Sequence, residues 1–256
     1  MEDATLRTFA PLNAPAFLTA PQLYQGRLTP ICQNGFVLAI HEDALYAHGV
    51  LPPGLYGPDS AWTEEALQKW PEAFGLEEDA LLAPAAALLT SVLDESTQQA
   101  LCMAQTYTAK ELASGKVGVS VGTTKLLYAL YADKSSPSYL AIPLPGLAGE
   151  GQYAAVCSTG EEERMAAASA FVSFLLNKAS QRAVSMLWAV PVRADVTCDT
   201  AELNSLWLTF SEPQPTLVLD AAQRRQWAEL LARKAAPEDL RQWLETACKV
   251  GFRRVK

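Results

Sequence analysis

The sequence predicts an α/β fold. Short apolar runs with strand-like patterning recur at residues 36–40, 116–121, 138–142 and 153–157, and segments with helical spacing stand between and after them. Glycine- and proline-bearing turns at residues 34–35, 49–53 and 143–146 punctuate the alternation. With 256 residues, 50% of them hydrophobic, the chain can bury one large core or two smaller ones.

Pro11, Pro15, Pro21 and Pro30 block long helices, so the first thirty residues read as irregular chain leading into an extended run. Residues 36–40 are a short buried strand behind Asn34-Gly35. Residues 43–48 form one helical turn before the connection Gly49-Val50-Leu51-Pro52-Pro53. A helix starts at residues 61–65, where Thr63 is a good N-cap and Glu64 and Glu65 complement the positive end of the dipole, with Leu67 and Trp70 at helical spacing. Helical pattern continues over 77–91, bent or divided by Pro84, and over 95–107. Lys116-Val117-Gly118-Val119-Ser120-Val121 alternates as a strand does. Gly122-Thr123-Thr124 closes it with small hydrogen-bonding residues, where a ligand can meet a strand end. A strand at 138–142 and the turn Pro143-Leu144-Pro145-Gly146 lead to the strand at 153–157.

Residues 161–176 carry acidic side chains in the first turn, then Ala168, Phe171, Val172 and Leu175 on one face, the pattern of an amphipathic helix. A second helix begins near Lys178 and stops before Pro191. Residues 221–233 and 237–249 are also helical in pattern. The last has Pro237 at a permitted first-turn position, a stripe of Leu240, Trp243, Leu244 and Ala247, and Gly251 beyond it.

Composition excludes several functions. With 28 acidic and 20 basic residues and a formal charge of -8, the chain has no means of releasing counterions from a polyanion, so no nucleic-acid partner is expected. No stretch reaches the roughly 18 apolar residues of a membrane span. Met1-Glu2-Asp3 opens no signal peptide or lipoprotein leader. Cys32, Cys102, Cys157, Cys198 and Cys248 are far apart without a CxxC pair; they read as small packing residues, and no metal or cofactor is expected.

Catalytic signatures fail one by one. His41-Glu42-Asp43-Ala44-Leu45 begins like HExxH but ends in leucine, and His48 does not repair it, so both histidines read as surface or packing residues. Ser114-Gly115-Lys116 resembles the end of a P-loop, yet Lys110 stands where the first glycine belongs, and Gly146, Gly149 and Gly151 miss the dinucleotide spacing. Two histidines without a GxSxG turn leave no nucleophile triad, and no catalytic residue is assigned. Of the tryptophans, Trp70, Trp227 and Trp243 lie on amphipathic stripes and read as core, whereas Trp188 falls in a helix-to-loop transition.

Four blocks, in order, resemble the extracellular solute-binding proteins of ABC importers, in particular the family that takes up sugars. The first runs from Gly26-Arg27-Leu28-Thr29-Pro30 through Val37 to Leu45, then Gly49 to Pro53 and Trp62-Thr63-Glu64-Glu65. The second is Ala113-Ser114-Gly115-Lys116-Val117-Gly118-Val119-Ser120-Val121-Gly122, the third Ile142-Pro143-Leu144-Pro145-Gly146. The fourth is the alanine-rich helix Ala166 to Leu176 with Gln181 and Pro191-Val192-Arg193. In that family about a hundred residues precede the first block; here there are about 25.

The resemblance implies a two-lobed α/β, type II periplasmic-binding-protein-like fold with a truncated first lobe. Residues 1–35 and 143–190 are then the remnant of lobe 1, and 36–142 with 191–256 are lobe 2. It implies capture of a small solute, a sugar or oligosaccharide, in an interlobe cleft, without catalysis. Its ligand contacts would be Asn34, Thr123, Thr124 and Trp188, with Gln33 and Trp62 in reserve. The implied partners are the solute, a membrane ABC permease and a segment supplying the missing lobe 1 strands, and the implied location is extracellular or in the cell envelope. Two rivals are a non-transport interaction module of the same ancestry and a glycoside hydrolase with a carboxylate pair.

Overall fold

The computed structural model describes residues 8–13, 15–20, 22–54, 56–132, 138–147, 149–197, 204, 217 and 219–248. Its first elements are β1 (Phe9–Ala10), β2 (Thr29–Asn34), β3 (Phe36–His41), α1 (Glu42–Ala47), α2 (Ser60–Lys69), β4 (Phe74–Glu77), α3 (Ala83–Leu89) and α4 (Glu95–Met103). There follow β5 (Gln105–Tyr107), α5 (Ala109–Ala113), β6 (Val119–Thr123), α6 (Thr124–Ala132), β7 (Tyr139–Pro143), β8 (Glu150–Ala154) and β9 (Val156–Cys157). The remaining helices are α7 (Glu162–Leu175), α8 (Lys178–Ser185), α9 (Ala221–Ala232) and α10 (Pro237–Cys248). The chain divides into two compact units, Met1–Asn34 with Gly149–Pro213 and Gly35–Ala148 with Gln214–Lys256.

The second unit is built on a five-stranded sheet in the order β5-β4-β6-β3-β7. β4 is parallel to β5 and β6, while β3 runs antiparallel to both of its neighbours, β6 and β7. All six residues of β3 are buried, as a strand covered on both faces requires. Because side chains alternate across a sheet, Phe36, Leu38 and Ile40 share one face with Phe74, Leu76, Val119 and Val121. That face packs into one core with the buried helix α3 and with Leu101, Trp227, Leu240 and Leu244. The Trp227 indole N–H donates to the Leu81 carbonyl at 2.8 Å, so a fully buried polar group is satisfied. Between α2 and α4 the buried hydroxyls of Thr63 and Thr97 share a hydrogen bond of 2.6 Å.

In the first unit β2 pairs antiparallel with β8 and β1 with β9. Pro30 has no N–H to give the ladder, and the register slips between Pro30 and Cys32. The carbonyl of Ile31, the residue at that slip, is taken by Gln181. This fully buried side chain donates to Ile31 O at 2.8 Å and Leu175 O at 2.9 Å, and accepts from Val192 N–H at 2.8 Å. One amide thereby holds β2, the end of α7 and the chain at Val192 in one arrangement. Arg193 adds a donor to Leu176 O at 2.8 Å and lies 3.6 Å over the Phe17 ring. The apolar cluster beneath consists of Ala20, Val156, Val172, Leu176 and Val192.

Several expectations need correction. Residue 77 ends a strand, Phe74–Glu77, and residues 105–107 form another, where helix was expected, and Pro84 opens α3 in its first turn instead of bending a longer helix. The N-cap of α2 is Asp59, which accepts from Trp62 N–H at 2.9 Å; Thr63 lies inside the helix. In α7 Phe171 is 60% exposed and stacks on Phe174, leaving Val172 as the buried residue of that helix. The unit boundaries also differ from those expected. Residues 143–148 stay with the second unit, where Leu144 N–H donates to Phe36 O at 2.9 Å. Residues 191–197 stay with the first, where Thr19 N–H donates to Val192 O at 2.9 Å and Ala194 N–H to Phe17 O at 3.0 Å.

The histidines pack. His41 caps α1 by accepting from Ala44 N–H at 3.1 Å, and His48 stacks on Trp70 with ring centroids 3.8 Å apart. Cys32 and Cys102 are buried, and burial pushes their thiols up to about 11 and about 12; Cys157 is exposed. Cys198, Lys249, Gly251, Pro21 and residues 1–3 lie outside the described residues.

Replacing Gln181 tests the role given to it. Gln181→Leu strands one buried N–H and two carbonyls, at about 1–3 kcal/mol for each group left unsatisfied. Urea unfolding of this variant should therefore show a loss of at least about 2 kcal/mol, against about 0.5 kcal/mol or less for the exposed Arg182→Ala. Equal losses would mean that Gln181 does not hold the unit together.

Candidate strand-end binding site

In an open α/β sheet, ligands meet the carboxyl ends of the parallel strands. In the second unit those ends are Glu77 on β4, Tyr107 on β5 and Thr123 on β6. Thr123 donates to Glu77 Oε2 twice, from its N–H at 2.8 Å and from its hydroxyl at 3.3 Å. Gly122 permits this approach, since a Cβ there would lie 2.5 Å from Glu77 Oε2. The next residue, Thr124, opens α6, and its N–H donates to Gly35 O at 2.7 Å. Its hydroxyl is buried and has no hydrogen-bond partner.

Glu77 is 5% exposed. Burial pushes its carboxyl above the ordinary carboxylate range, an effect opposed by the two hydrogen bonds from Thr123, reinforced by Asp79 and opposed again by Lys125. Its other oxygen, Oε1, accepts from no described residue, yet it is not sealed off as the Thr124 hydroxyl is. The strand end therefore presents one engaged and one available carboxylate oxygen.

The other expected residues fall in three places. Gln33 and Asn34 close β2 in the first unit; Gln33 is buried and exchanges backbone hydrogen bonds with Val190 at 2.9 and 2.6 Å. Trp188, two residues before Val190, is half-buried and sits at φ 57°, a left-handed conformation unusual for a bulky side chain. Trp62 lies in α2, where its indole N–H donates to Leu51 O at 2.6 Å and its ring meets the edge of Phe74. Phe74 begins β4, three residues or about 10 Å from the Glu77 end, so Trp62 is not gathered with the threonines. Glu77 is hidden in the sequence because helical pattern starts at residue 77, which in fact ends β4. The available signal was the short run Phe74-Gly75-Leu76 ending in Glu77-Glu78-Asp79.

Among the described residues, no three His, Cys, Asp or Glu side chains converge to hold a metal ion, and no helix is long and apolar enough to cross a membrane. No protein-family model matches the chain, and no curated protein matches it in sequence. Solved structures do. UgpB from Mycobacterium tuberculosis, in complex with glycerophosphocholine, superposes with a TM-score of 0.65 at 16% identity, over 96% of this chain and 74% of that one. The GacH receptor of Streptomyces glaucescens, solved unliganded and with acarbose, gives 0.62 at 18% identity over 95% and 79%. Iron-bound HitA from Pseudomonas aeruginosa gives 0.59 at 19% identity over 91% and 78%.

The chain has the two-lobed, type II periplasmic-binding-protein-like fold. In the sheet of this periplasmic-binding-protein-like chain, β3 runs against the direction of the other four strands.

The charge on Glu77 gives a signed expectation. Because its folded pKa is raised, this carboxyl contributes stability that is present below the unfolded pKa and lost as pH rises through the folded one. Glu77→Gln keeps an oxygen for Thr123 without the penalised charge. Its melting temperature relative to the parent chain should rise as pH increases through and above the ordinary carboxylate range, about 4.3 for a free glutamate. A fall over that range would show that the hydrogen bonds from Thr123 outweigh burial.

Proposed function

We propose that the chain is the solute-binding component of an ABC importer and captures a small solute, a sugar or oligosaccharide, in the cleft between its lobes. The observation that carries this reading is the fold itself, whose solved neighbours include complexes with glycerophosphocholine and acarbose. The strand-end site supports it, because it offers hydrogen-bonding groups and no catalytic arrangement was found in the sequence. Asn34, Thr123, Thr124 and Trp188 remain the proposed contacts, with Gln33 and Trp62 as reserves. An importer component works outside the cytoplasmic membrane or in the cell envelope, and its protein partner is a membrane permease.

One observation favours the interaction-module reading. Phe171, Phe174, Met186 and Leu187 are 60%, 58%, 66% and 64% exposed on or beside α7 and α8 of the first lobe. Exposed apolar groups of this size commonly mark a contact surface.

Thermal-shift screening separates the two. A ligand that binds only the folded chain raises its melting temperature by mass action. Under the transport reading a saccharide should give a saturable rise, diminished in Asn34→Ala. A cooperative melt unmoved by saccharides, amino acids, polyamines and anions would sink the transport reading and leave the interaction module.

A further inference from the structure

Glu77 and Thr124 carry more than the fold asks of them. One carboxylate oxygen suffices to take the N–H and hydroxyl of Thr123, and a glutamine would do this without a buried charge. At 5% exposure the carboxyl is largely withdrawn from water, and the part of it left open is Oε1, the oxygen that no described residue engages. The Thr124 hydroxyl, one residue past Thr123 and fully buried, is a second polar group without a partner at the same strand ends. The Thr124 hydroxyl is sealed within the strand end, so the open oxygen of Glu77 is the group that a bound donor can reach.

The surrounding charges narrow what that is. The site lies at the amino end of α6, a nine-residue helix whose dipole makes that end positive, and Lys125 follows in its first turn. Both oppose a cationic group. Glu77, with Asp79 two residues on, opposes an anionic one. A neutral hydroxyl suffers neither repulsion, and its O–H is the donor that Oε1 lacks.

We propose that Glu77 is the residue that sets the class of solute: it accepts an O–H of a neutral polyhydroxyl compound on Oε1 while Oε2 stays fixed by Thr123. This rests on the solute-binding reading above and adds to it a residue and a reason for excluding charged cargo. Glu77 acts by direct contact with the solute, and Thr123, beside any contact of its own, holds the carboxylate in place.

The test is calorimetric titration of the purified chain with maltose and raffinose as neutral probes, spermidine as the cationic probe and glycerol 3-phosphate as the anionic probe. A charge-assisted hydrogen bond lost from a binding site weakens affinity on the order of 10- to 100-fold. The parent chain should bind a neutral saccharide and neither charged probe, and Glu77→Gln should bind that saccharide on the order of 10- to 100-fold more weakly. Monodeoxy analogues of the bound saccharide give a second readout that needs only the parent chain. One of them should lose a similar factor against the parent, and that analogue should lose little further against Glu77→Gln. Unchanged saccharide affinity in a folded Glu77→Gln, or equal binding of every deoxy analogue by the parent, overturns the role of Glu77. Binding of spermidine or glycerol 3-phosphate in place of saccharides overturns the proposal while the solute-binding reading stands. Binding of no probe of any class overturns both.

Discussion

The second lobe depends on the placement of one strand. β3 occupies the slot between β6 and β7, antiparallel to each, and every one of its residues is buried. Its backbone is therefore hydrogen-bonded on both sides and its side chains are covered on both faces, so it has no freedom to slip: a shift of one residue would exchange Phe36, Leu38 and Ile40 for Val37 and Ala39. From that fixed register the strand end follows. Phe36 stands opposite Thr123, Gly35 receives the N–H of Thr124, and Leu144 returns to Phe36 from the other side. The position of the threonines is thus decided by strand pairing before any ligand is considered.

That constraint also explains what the sequence made legible. β3 and β6 are five or six residues long, apolar on the core face and flanked by clear turns, so their pattern can be read without the fold. β4 and β5 have four and three residues, too few to display a period of two. Their neighbours are helix formers, and local pattern therefore extends the helices across them. Only pairing with β5 and β6 makes β4 a strand, a long-range fact that local propensity does not contain. The hidden strand took Glu77 with it. The threonines were legible because they end a strand that was; the carboxylate that fixes them was not.

α7 shows the opposite error, a pattern that promised more burial than the lobe provides. Its apolar residues suggest a wide stripe facing a large core, but the cluster beneath it is small, and Val172 and Leu176 fill the contact. Phe171 and Phe174 are left to stack on one another in solvent. In this lobe polar groups do much of the positioning. Pro30 breaks the β2 ladder, and Gln181 takes the carbonyl at the slip while also holding the end of α7 and Val192. A small core supplies little apolar burial per residue, so specificity of arrangement falls to a buried amide whose three bonds must all be satisfied at once.

The same reasoning separates structural from ligand-directed polar groups. Gln181, Trp227 and Thr63 are buried with their hydrogen-bonding capacity used inside the protein, and each is explained by packing alone. Glu77 and Thr124 are buried with capacity left over, and they stand at the carboxyl ends of parallel strands, where an α/β sheet meets its ligands. A buried charge that completed its hydrogen bonds internally would be a fold element like Gln181. One that leaves an oxygen free at a strand end makes sense energetically when a bound donor completes it, which is why the strand end, and not the larger apolar surface of α7, is the part of this molecule that most resembles a site.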